Sequence, residues 1–106
     1  MRPTTMRRFE GTVDSTSPAF AGLHAPATLT LIGHETEYEC RFVFVLDGVS
    51  IPMTVFAPGS GGNKISGTAT DPRGWETAFA AELAGNRVIG SYEQPHDHGT
   101  FELVEV

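Results

Sequence analysis

Hydrophobic and polar residues alternate along most of the chain. In YECRFVFVL, 38–46, Tyr38, Cys40, Phe42, Phe44 and Leu46 take one side while Glu39 and Arg41 take the other. A period of two belongs to a strand with one covered face and one wet face. The pattern predicts eight strands, over 6–14, 26–33, 36–46, 49–57, 64–70, 75–84, 87–94 and 99–105. WETAFAAEL, 75–83, has the alanines of a helix. Its alternation of Thr77, Phe79, Ala81 and Leu83 against Glu76, Ala78, Ala80 and Glu82 favours a strand.

Short connections separate these pieces. Asp47-Gly48 is a two-residue hairpin signal, and Gly85-Asn86 and Gly33–Glu35 are tight turns of similar kind. Asp71-Pro72-Arg73-Gly74 is a turn with proline second, and the tip 58–63 is rich in glycine. The irregular piece 15–26 offers Phe20 and Leu23 for one helical turn over an end of the structure. Gly11, Gly67 and Gly90, each followed by Thr or Ser, are expected to bend their strands.

Phasing the strands together collects Phe9, Val13, Leu29, Leu31, Val49, Ile51, Met53, Val55, Ile65, Val88 and Leu103 on one face, with the aromatic residues discussed below. Consecutive hairpins with a single apolar face predict an all-β fold, a single antiparallel up-and-down β-barrel of about eight strands spanning 1–106. The closing segment resembles the last hairpin of the small calycin-like barrels, the group of avidins and lipocalins. The pattern is Gly90-x-Tyr92 followed by Gly99-Thr100-Phe101-x-Leu103. Phe9-Glu10-Gly11 stands where lipocalins carry Gly-x-Trp, and the single Trp75 is too few for an avidin's biotin site. The resemblance therefore implies the barrel and no particular ligand.

Composition narrows the partners. The formal net charge is −6, which argues against nucleic acid and anionic membrane surfaces. Cys40 is the only cysteine, so no internal disulfide forms and a cytoplasmic location is expected. The first residues show no apolar run of signal-peptide type, and no stretch approaches the ~20 apolar residues of a spanning helix.

His96-Asp97-His98 is the densest chemistry. Two histidines two apart share a face in an extended segment, but His24 and His34 are remote and Asp97 alternates away. A zinc site needs three or four ligands, so a polar hairpin tip is the expectation, with no metal and no cofactor. Cys40 lies between Tyr38 and Phe42 and reads as a buried thiol. The inward set holds no acid, base or histidine, which lowers the expectation of acid–base catalysis.

What remains is a barrel binding an apolar or aromatic small molecule, with Tyr38, Phe42, Trp75, Phe79, Tyr92 and Phe101 as the ligand-binding residues. Gly11, Gly67, Ala69, Ala81 and Gly90 are expected to leave room, and Tyr38, Trp75 and Tyr92 to flank one mouth. The alternatives are an interaction module with a filled core, and an isomerase or cyclase that shapes an apolar substrate. Ile32, Val43, Val45, Phe56, Ile89 and Val104 fall on the outer face and predict a homodimer or higher oligomer.

Overall fold

The computed structural model describes residues 5–17, 24–34, 37–46, 48–58, 63–70, 72 and 74–106. It contains eight strands: β1 (Thr5–Ser15), β2 (His24–Gly33), β3 (Glu37–Leu46), β4 (Val49–Pro58), β5 (Lys64–Thr70), β6 (Glu76–Ala84), β7 (Arg87–Glu93) and β8 (His98–Glu105). The alternation supplies each of them with one covered face. The contested segment is the strand β6, with Thr77, Phe79 and Ala81 buried and the glutamates out. The helical turn expected around Phe20 and Leu23 lies outside the described residues.

All the strands belong to one antiparallel sheet in the order β4-β3-β2-β1-β8-β7-β6-β5. Every neighbour is the next strand in the chain except β1 and β8, which join the first strand to the last. The sheet curls into a nearly closed barrel. Its two edges meet by packing, with Gly67 of β5 against the side chain of Val55 in β4. Pro52 sits in β4, where an edge strand tolerates a residue that donates no ladder bond.

The core runs the length of the barrel, from Phe9, Leu29 and Leu103 to Phe42, Phe79 and Phe101. Phe42 and Phe79 stack face to face with centroids 4.6 Å apart, and Phe101 meets Phe42 edge-on at 5.6 Å. The register explains the glycines of the last hairpin. Gly90 stands opposite Phe101, and Gly99 stands opposite Tyr92. A Cβ at Gly90 would come within 2.7 Å of the Phe101 ring, and one at Gly99 within 2.7 Å of the Tyr92 ring. Each glycine makes way for the ring across from it, a cross-strand exchange that packs a curved sheet. The room expected beside Gly67 and Gly90 is therefore taken by Val55 and Phe101.

Three placements differ from expectation. Val49 is 61 % exposed, because it opens β4 at the hairpin tip beyond the cover of the core. Ile32, on the outer face, is buried between its cross-strand partners Met6 and Glu39. The Glu39 side chain is drawn over that face by Arg41 and His34. Val43 and Val45 are half-buried, so the patch expected there is partly covered.

Candidate binding site

Asp97 corrects the expectation of an interior without ionisable groups. It precedes β8, and the inward alternation of Phe101 and Gly99 simply continues back to it. The residue is 8 % exposed, and its carboxylate accepts from the Ser15 hydroxyl at 2.6 Å and the Tyr92 hydroxyl at 2.8 Å. These bonds tie the β7–β8 turn to the end of β1. Burial makes the tie strong, because a carboxylate taken from water needs its lone pairs filled. The Ser17 amide donates to Ser15 Oγ at 3.3 Å. Ser17 Oγ, itself buried, meets no partner among the described residues.

Around this tie the sequence-predicted residues separate. Tyr92, Phe42, Phe79 and Phe101 share the core. Trp75 is half-buried at the same end, with His96 edge-on to its ring at 5.4 Å. Buried Thr77 accepts from Gln94 Nε2 at 2.8 Å. Tyr38 lies at the other end, paired with Gly33 and Ala57, so it does not flank a mouth with Trp75 and Tyr92.

That other end carries the second inward ionic group. Arg7 has the same orientation as Phe9, and its guanidinium stands 5.1 Å from the Phe9 ring centroid. It donates from Nε and Nη2 to the two Glu105 oxygens at 2.8 and 2.7 Å, and from Nη2 to the Gly85 carbonyl at 3.0 Å. The bond from Arg7 holds the Glu105 carboxyl below its ordinary range. Cys40 has no reactive character: burial, helped by the charge of Glu39, pushes its thiol up to about 12.

The histidines reach the outer surface. Thr16 Oγ1 lies 2.8 Å from His98 Nδ1 and 3.3 Å from the His98 carbonyl. A hydroxyl beside an imidazole resembles a nucleophile with its base. Here no carboxylate bonds the ring among the described residues, and the hydroxyl is shared with a backbone oxygen. The contact orients the ring. No group of three or more His, Cys, Asp or Glu gathers as for a metal among the described residues.

Beside Thr16 and His98, an open groove of about 490 Å³ crosses the outer surface of β6, β7 and β8. Ala78, Ala80 and Ser91 are its outward side chains on the inner strands, and their small size lets it sink. Thr16, Thr100, Glu93 and His98 stand around them. Glu93 and His98 are cross-strand partners, as are Ala78 and Glu93. The outward alanines of β6, Ala78 and Ala80, are the signal the sequence carries for this surface. No family model matches the chain, and neither a curated protein nor a solved structure matches it.

Proposed function

We propose that the protein is an interaction module with a filled core, which binds its partner on the outer face of β6, β7 and β8. The stack of Phe42 on Phe79, 4.6 Å apart at the barrel centre, carries this proposal. Rings in contact leave no slot between them. An apolar guest gains roughly 25 cal/mol per Å² it buries, but here it must first part rings that already bury that area. The groove on the outside supplies concavity and polar groups without that cost.

Melting the protein with a hydrophobic dye and with fatty acids tests the choice. The expected result is an unchanged melting temperature. A saturable rise would restore the interior ligand, with the six aromatic residues as its walls. Gly90→Leu gives a second readout: in a filled core it overpacks and destabilises by about 1–3 kcal/mol.

A second copy of the chain is a further proposed partner. Phe56 is 56 % exposed and Met6 64 %, at the two ends of the cross-strand row that also holds Ile32 and Glu39. Sedimentation should show self-association that Phe56→Lys weakens; a monomer at tens of micromolar argues against it. A cytoplasmic location belongs to the same proposal, supported by the single buried Cys40. Kinship with the calycin-like barrels does too, supported by the glycine–aromatic pairs of the last hairpin.

A further inference from the structure

Resting on that outer-face reading, we infer that the groove seats a basic side chain, lysine or arginine, carried by an extended segment of a partner polypeptide. Among the described residues the charge around the groove is one-sided. Glu93 lies on its wall and Glu76 stands two residues before Ala78 on the same face of β6. Asp14 is paired with Thr100 across β1 and β8, and among the described residues its ion-pair partner is His24.

The described cations of this face stand away from it. Lys64 is opposite Glu82, and Arg87 donates to Glu102 at 3.1 Å, both toward the β6–β7 turn. Ser91 lies four positions along β7 from Arg87, roughly 13 Å at the rise of a strand. Among the described residues Glu93 is thus a carboxylate without a cation, in a protein whose net charge is −6.

The neighbouring groups fit an ammonium or guanidinium head. In the tautomer that donates Nδ1–H to Thr16 Oγ1, His98 offers Nε2 as an acceptor, and its strand partner is Glu93. The hydroxyls of Ser91 and Thr100 lie on the adjoining row, where they can meet the backbone amides of an extended segment. The small floor of Ala78 and Ala80 admits the methylene stem, which gains from apolar contact while its charged end stays at the wet rim.

Amide chemical shifts of the full chain, titrated with the peptide Ac-Ser-Lys-Ser-NH2, test this. A control peptide replaces lysine by norleucine, which keeps the stem and removes the charge. The lysine peptide should shift Ser91, Glu93, His98 and Thr100 saturably. Norleucine, or Glu93→Gln with the lysine peptide, should bind about three- to fivefold more weakly, as suits one exposed ion pair. Added salt should reduce the difference. Equal binding of both peptides in the groove would overturn the basic anchor and leave the outer-face reading standing. Shifts that are absent or lie elsewhere would overturn the anchor as well. The dye and fatty-acid melts then decide separately whether the core is filled.

Discussion

Both ends of the barrel tie the first strand to the last hairpin with a carboxylate, but they use opposite chemistry. At the β7–β8 turn, Asp97 is buried and held by two neutral hydroxyls. At the β6–β7 turn, the Glu105 side chain is 31 % exposed and held by a guanidinium. Water explains the difference in consequence. An exposed ion pair exchanges one good environment for another, so it contributes little. A buried carboxylate with its hydroxyl donors cannot fall back on solvent, so each lost bond is felt. The Asp97 tie is therefore the stronger of the two, and it stands at the end beside the groove.

The largest effect should come from Asp97→Ala. It strands the Ser15 and Tyr92 hydroxyls, and a loss of about 3 kcal/mol in urea unfolding is expected. A loss no greater than that of Arg7→Ala would erase the contrast between the ends. Next comes Gly99→Ala, whose Cβ would collide with the Asp14 carbonyl and the Tyr92 ring. The ladder must move to admit it, at about 2 kcal/mol.

Tyr92→Phe keeps the ring and removes one of the two bonds to Asp97, for about 1 kcal/mol. In a double-mutant cycle with Asp97→Ala the two losses should not add, because they share that bond. At the far end Gly85 has φ +63° and open space around it. Gly85→Ala should cost about 1 kcal/mol through backbone strain alone, and Gly85→Asn less.

The smallest effect belongs to Glu105. Its folded carboxyl lies below the ordinary value near 4.3, so its contribution is complete above that pH and lost as pH falls through the folded value. The gap in melting temperature between the wild type and Glu105→Gln should therefore be flat near neutrality and close in acid. A gap that widens in acid would contradict the pairing with Arg7.

The barrel itself was legible in the chain. Strict alternation, with turn residues at short intervals, leaves few arrangements besides consecutive antiparallel hairpins. Even β6 followed, since a helix would have scattered Thr77, Phe79 and Ala81 around its surface. The six aromatic residues expected to bind a ligand were legible only as a list. Their mutual packing depends on which strands face each other across the interior, and local pattern does not carry that distance.

Asp97 marks the boundary between the two kinds of information. It has the parity of Gly99 and Phe101 in the sequence, yet a polar residue in a turn normally faces water. Only the meeting of β1 with β8 brings Ser15 to it, eighty-two positions away in the chain. The sequence by itself determined the strands, their inward faces and their order, because these follow from period and turn chemistry. The tertiary structure alone decided that Gly90 and Gly99 are filled by rings, that Tyr38 is parted from Trp75, and that Arg7 and Asp97 stand at opposite ends. Those outcomes hang on curvature and register between strands, which fix distances that no local pattern encodes.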